Sequence, residues 1–294
     1  MMSSLWKGIF FNILSAFLFY FATVMVHKGV SVNPESDAFL YAFYRYYLGS
    51  ILFFFLIILK KIPLKPQIPF SILSRGVTNS IAVVLFYFSV QLGETGRANV
   101  LNMTYPVFVA ILSGPLLKEY PDKNTLLSIL LCLVGMGLYF FEPLTQLLHH
   151  LIFADFLGLG SGIMASLAII ALRSSAKQYF SEIILFWMFF IGVMITLPFC
   201  YKKIFLLDKL DFVYLLVSSI MGVLGQWFLT ISYKYLDAPR GSIFSSFRIL
   251  IALFYGWWVL LESLTFFSFM GGVLVFLSNL IISYKKTKNE SFRV

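Results

Sequence analysis

Ten runs of about 20 mostly apolar residues follow one another along this chain, and each is long enough to cross a bilayer as a helix. They fall near 7 to 26, 38 to 59, 70 to 92, 97 to 117, 124 to 142, 154 to 172, 183 to 201, 212 to 233, 240 to 261 and 264 to 284. The connections are short and carry nearly all the proline and charge, as in HKGVSVNPESD, KKIPLKPQIP and KEYPDK, so no separate soluble domain fits. With 60% hydrophobic and 12% charged residues and a mean hydropathy of +0.90, the 294 residues exclude a soluble enzyme, a disordered chain and a nucleic-acid-binding domain. The net charge of +9 therefore indicates no nucleic-acid partner; its distribution reports topology instead. The first run exceeds a signal-peptide core and has no small-x-small site behind it, which predicts a retained span. Cys132 and Cys200 lie inside apolar runs and form neither a disulfide nor a metal pattern.

An even number of spans puts both termini on one side, and the positive-inside rule selects that side. The terminal side holds 15 Lys and Arg, with Arg75 counted among them at the edge of the third span, and the opposite side holds 5. Arg45 and Arg248, inside spans, complete the 22. Cytoplasmic N- and C-termini follow, in a multi-pass protein of a bacterial inner membrane; the high Phe and Lys usage suits an AT-rich bacterial genome.

Sliding the chain along itself by 143 residues aligns the halves without a gap from the second span onward. Gly49 then meets Gly192, Ser89 meets Ser232, Arg97 meets Arg240 and Glu119 meets Glu262. Gly8 pairs with Gly158 once a longer loop is allowed. Each copy has five spans, and an odd number forces the copies into opposite orientations about an axis in the membrane plane. The fold class is thus an all-α integral membrane protein of ten transmembrane helices in two inverted five-helix repeats, residues 1–145 and 146–294.

The runs LLKEYPDKNTLLSILLCLVGMGLYF and VLLESLTFFSFMGGVLVFLSNLIISY, with FYRYYLGSILFFFL at 43 to 56 and Pro106 in the fourth span, resemble the drug/metabolite transporter superfamily, EamA type. The resemblance implies a central cavity lined chiefly by spans 1, 3, 4, 6, 8 and 9. SSFRILIALFYGWW places an Arg in the ninth span, which is similar to the S-adenosylmethionine uptake transporters within that superfamily.

A charge at the bilayer centre costs roughly 2.5–3.5 kcal/mol on insertion scales, so Arg45 and Arg248 are candidates for an internal site. A planar guanidinium suits bidentate capture of a carboxylate or phosphate. Arg248 is the more particular of the two, since the family commonly carries an Arg at the place of Arg45, where bracing of helix ends is the other reading. Further polar candidates fall at helical spacing around the same depth: Asn102 and Tyr105 with Asn99 in the fourth span, Ser245 and Tyr255 in the ninth, Asn79 and Tyr87 in the third, Gln226 and Trp227 in the eighth, and Asn12 in the first. For each amide a helix–helix hydrogen bond is the competing role. Gly158 and Gly162 predict close packing of the sixth span.

All 13 acids and all three His fall in loops or at span ends. No mid-membrane carboxylate is available as a proton carrier, and no Walker loop, metal-ligand set or cofactor motif occurs. These residues predict a non-enzymatic, secondary or facilitative transporter of a small polar metabolite bearing an anionic group, amino acid-like or S-adenosylmethionine-like, working by exchange or facilitated transport. An exporter of amino acids or related metabolites stays open beside it, as does a structural membrane protein. The expected partners are the solute and the bilayer; a monomer suffices, although the sequence sets no oligomeric state.

Overall fold

A computed structural model describes residues 4–33, 36–63, 68–93, 95–139, 153–204, 209–259 and 265–290. Twelve helical segments and no strand occur among the described residues. The first half holds α1 (Ser4–Val32), α2 (Ala38–Leu59), α3 (Phe70–Leu92), α4 (Thr95–Asn102), α5 (Tyr105–Leu117) and α6 (Lys123–Tyr139). The second holds α7 (Phe153–Ala176), α8 (Ser181–Cys200), α9 (Lys209–Tyr235), α10 (Ala238–Ser245), α11 (Phe247–Val259) and α12 (Phe266–Glu290). The expected repeat boundary at 145/146, the two histidines at 149 and 150, and Glu262 lie outside the described residues.

Six helices, α1 to α3 and α7 to α9, are long and apolar enough to cross a membrane unbroken. Two of the remaining spans, expected as continuous helices, are each broken once, into α4–α5 and α10–α11. Pro106 explains the first break, because it has no N–H to donate to the Asn102 carbonyl four residues back. The second break needs no proline: the Ile249 amide bonds the Ser246 carbonyl, three residues back, so one tight turn interrupts the helix. With the 143-residue offset, Ser246 is the counterpart of Met103, and the two breaks coincide.

Across the halves α1 packs along α9, α3 along α7, α2 along α8 and α6 along α12. The α2–α8 contact is reciprocal. A Cβ placed on Gly49 would lie 2.6 Å from the Phe189 ring, and one on Gly192 would lie 2.5 Å from the Tyr46 ring. Because Gly49 pairs with Gly192 and Tyr46 with Phe189 in the repeat, each half offers the other the same glycine notch and aromatic knob, as a two-fold contact requires. Lipid is as apolar as a side chain, so such close approach gains dispersion contact that a bulkier residue would forfeit. The same symmetry places Lys60 Nζ 2.6 Å from Glu182 at one end of the pair and Lys203, its repeat counterpart, 2.7 Å from Asp37 at the other.

The predicted tight packing of the sixth span has its contacts: a Cβ on Gly158 would meet Leu101, and one on Gly162 would meet Thr104 and the α4 backbone. Outward-facing Phe10, Phe55, Phe199 and Phe269 are more than half exposed, as lipid contact allows. Polar pins add direction. Asn102 Nδ2 donates to Ser161 Oγ at 2.9 Å, joining α4 to α7, while Ser245 Oγ, the counterpart of Asn102, donates to Asn12 Oδ1 at 2.9 Å, joining α10 to α1.

Candidate functional site

A cavity of about 100 Å³ lies at mid-depth between the halves, bounded by α1, α3, α7 and α9 and by the broken segments α4–α5 and α10–α11, with Arg45 reaching in from α2. That volume has room for roughly seven to ten waters, the scale of a small metabolite. Each helix pair meets here because the glycine contacts draw the bundle together on either side while the breaks in α4–α5 and α10–α11 leave space between them.

Eight of the twelve residues singled out in the sequence border the cavity: Arg45, Asn79, Tyr87, Asn102, Tyr105, Gln226, Ser245 and Arg248. Arg45 is 4% exposed; its Nη1 donates to Tyr87 Oη at 3.3 Å and its Nη2 to Gln226 Oε1 at 3.1 Å. Its guanidinium carbon lies 5.2 Å from the Phe19 ring centroid, within cation–π range. Arg248, 7% exposed, donates from Nη2 to Asn102 Oδ1 at 2.7 Å and stands 5.5 Å from the Phe86 ring. Tyr105 Oη donates to the Ser242 carbonyl at 3.4 Å, and Asn79 Nδ2 donates to Tyr46 Oη at 3.2 Å.

Four candidates fall elsewhere. Asn99 is buried outside the lining, its Nδ2 donating back to the Thr95 carbonyl at 2.8 Å. Trp227 stacks on Phe228 and meets Phe53 edge-on, since consecutive helical residues point about 100° apart and Gln226 takes the inward direction. Tyr255 is two turns past Arg248 and packs against Tyr20 and Phe21 of α1 instead. Asn12 is a structural pin whose Nδ2 donates to Ser232 Oγ at 3.2 Å and the Gly241 carbonyl at 3.1 Å.

The counting of Arg75 with the terminal-side loop charges is corrected by the structure. It is 1% exposed and borders the cavity, because it sits more than one turn inside α3. Without it the positive bias is 14 to 5, so the topology argument keeps its sign. The missed signal was depth: at 1.5 Å per residue Arg75 lies about 8 Å into its helix, past the range in which a residue belongs to the loop. Phe19 and Phe86 were missed as well, having no polar group to mark them among 34 Phe.

Three guanidiniums thus face one cavity, and among the described residues no carboxylate lines it. Five buried side-chain atoms in that lining lack a hydrogen-bond partner: the Nε of Arg45, Arg75 and Arg248, Arg75 Nη2 and Gln226 Nε2. All five are donors. Helix dipoles add little, because the C-terminal end of α4 and the N-terminal end of α5 meet at the same break and their half-charges of about −0.5 and +0.5 oppose. The guanidiniums therefore set the local field, and what the site can do chemically is bind an acceptor-rich anion.

On the face where α1 begins, Glu119 ties the α5–α6 turn to the second half. Its carboxylate accepts from Arg173 Nε and Lys177 Nζ, each at 2.9 Å, and from the Ala238 amide at 3.0 Å. Burial pushes its pKa up, but the Ala238 amide, Lys177 and Arg173 outweigh that and hold it below the ordinary carboxylate value.

Comparison with known proteins agrees with this architecture. The model of the EamA-like transporter family matches the chain twice, over residues 6–141 and 152–284. An uncharacterized transporter of Helicobacter pylori is 29% identical over 71% of this chain and 72% of its own length. The pseudopaline exporter CntI of Pseudomonas aeruginosa is 22% identical over 95% and 97%, and mouse solute carrier family 35 member G1 is 26% identical over 84% and 70%. None of these three is named for S-adenosylmethionine. A crystal structure with 10% identity superposes with a TM-score of 0.69, covering 92% of this chain and 98% of the other, and so shares the fold. With the family model matched in both halves, this chain belongs to the EamA-like transporter family.

Proposed function

We propose that this transporter carries a small organic metabolite with an anionic group, bound at the three-arginine cavity and exposed to each side in turn by rocking of the inverted halves. The observation that carries the reading is the convergence of Arg45, Arg75 and Arg248 on a cavity with no carboxylate among the described residues that line it. Arg248 and Arg45 engage the anion, Tyr87, Asn102 and Gln226 hold those guanidiniums in place, and Asn79, Tyr105 and Ser245 offer polar contacts to the rest of the solute. Exchange or facilitated transport fits better than proton coupling, since no carboxylate or histidine lines the cavity among the described residues. Two five-span units, 1–145 and 146–294, with both termini cytoplasmic in a bacterial inner membrane, complete the reading.

Export is the second direction to test, favoured by the relative named as an exporter that aligns over nearly the whole chain. The experiment is thermal-shift screening of the purified protein against amino acids, nucleotides and S-adenosylmethionine, since a true ligand stabilises the folded state by mass action. Counterflow of each hit in proteoliposomes follows. Arg248→Ala should abolish counterflow while the protein still inserts, and unchanged kinetics in that variant refutes the assignment. Accumulation driven by an imposed pH gradient alone, with no counter-substrate, rules out the exchange mode.

A further inference from the structure

Arg75 differs from the other two cavity arginines in its bonding. Arg45 is held by Tyr87 and Gln226, and Arg248 by Asn102, whereas Arg75 has both Nε and Nη2 unpartnered at 1% exposure. An arginine costs least in a membrane protein when its donors are met, so two orphaned N–H groups on a buried guanidinium point to an acceptor supplied from outside the chain. Depth separates the three. Counted along their helices at about 1.5 Å per residue, the Cα atom of Arg75 lies about 8 Å from the face where α3 begins, that of Arg248 about 15 Å and that of Arg45 about 21 Å. A carboxylate that accepts one guanidinium bidentately leaves the donors of a second guanidinium unmet.

We infer that the cavity takes a solute with two separate anionic groups, one held by Arg248 and Arg45 and the other by Arg75. This rests on the reading that the cavity is the transported-solute site, and it names the substrate class as a compound with two separate anionic groups, a dicarboxylate or a phosphorylated carboxylate. A monoanion leaves two of the three desolvated positive charges uncompensated, a dicarboxylate leaves one, and a phosphorylated carboxylate, whose phosphate carries about −1.5 to −2, leaves less than one.

Matched compounds test it in thermal-shift titrations of the purified full-length protein: succinate, its monoamide and its diamide; glutarate with its monoamide and diamide; and 3-phosphoglycerate with glycerate. Within each set size is nearly fixed or shrinks by one group while charge falls. The dianion should bind about tenfold to a hundredfold more tightly than its monoanion, the range that one charge-assisted contact supplies. In Arg75→Gln the compound with two anionic groups should lose more affinity than its one-anion analogue, so that the preference collapses to less than about threefold; Arg75→Lys, which keeps a point charge, should keep part of it. If Arg75→Gln does not fold, the wild-type ratio and the Lys variant still decide. Equal binding of mono- and dianions, or equal loss of both in Arg75→Gln, overturns the two-anion assignment and leaves the anion-site reading standing. Binding of the neutral diamides as well as the acids, or of no member of any set, overturns both.

Discussion

Replacing Arg248 by Met tests whether the cavity is built for binding at the expense of stability. Two terms act on the empty protein. Loss of the guanidinium leaves Asn102 Oδ1, which accepts from Arg248 Nη2 at 2.7 Å, without that donor in a buried site, a cost of about 1–3 kcal/mol. Against it, Arg248 and Arg45 share one cavity, and two like charges about 6 Å apart at an effective dielectric of about 20 repel by about 3 kcal/mol, which the substitution removes. Met also fills much of the space of the Arg stem beside Phe86. The terms nearly cancel, so the melting temperature in detergent should stay within about 5 °C of the parent protein. Counterflow, by contrast, should fall at least tenfold, since one charge-assisted contact to the solute contributes about 1.5–3 kcal/mol. A large drop in melting temperature with unaltered kinetics in the surviving fraction would mean that Arg248 is a structural brace, and the reasoning fails.

Tyr87→Phe removes the hydroxyl that accepts from Arg45 and should lower transport several-fold, whereas Trp227→Phe, outside the cavity, should leave initial rates unchanged; side-by-side counterflow decides. Gly192→Ala would push a methyl into the Tyr46 ring and Gly49→Ala would push one into Phe189, so each should destabilise by about 1–3 kcal/mol, to a similar extent, in thermal denaturation. Because the Glu119 carboxylate titrates below its ordinary value in the folded protein, its contribution to stability is present above about pH 4.3 and is lost as pH falls through the depressed folded value. Melting curves against pH should therefore decline on acidification, and Glu119→Gln should be less stable at neutral pH with a flatter acid limb. Lys60→Ala removes a half-exposed partner of Glu182 and should change stability by less than about 1 kcal/mol.

What the chain determines by itself is periodic or cumulative. Span number and length follow from the thickness of a bilayer, and inversion follows from the odd number of spans per copy. Intramembrane polarity marked eight residues that do meet in one cavity, because the cost of burying Asn79 or Arg45 against lipid turns such residues inward. Only the tertiary structure decided which polar groups serve the cavity and which serve the fold. Asn12 and Asn102 read alike along the chain, yet one is locked between α1, α9 and α10 while the other holds Arg248, since that choice depends on which helix stands opposite. Arg75 needed the structure for the same reason: nearness to a helix end in sequence says nothing of whether neighbouring helices cover that end. The paired breaks at Met103 and Ser246 also lay beyond local reading, because one has a proline to announce it and the other is imposed by packing at the symmetry-related place.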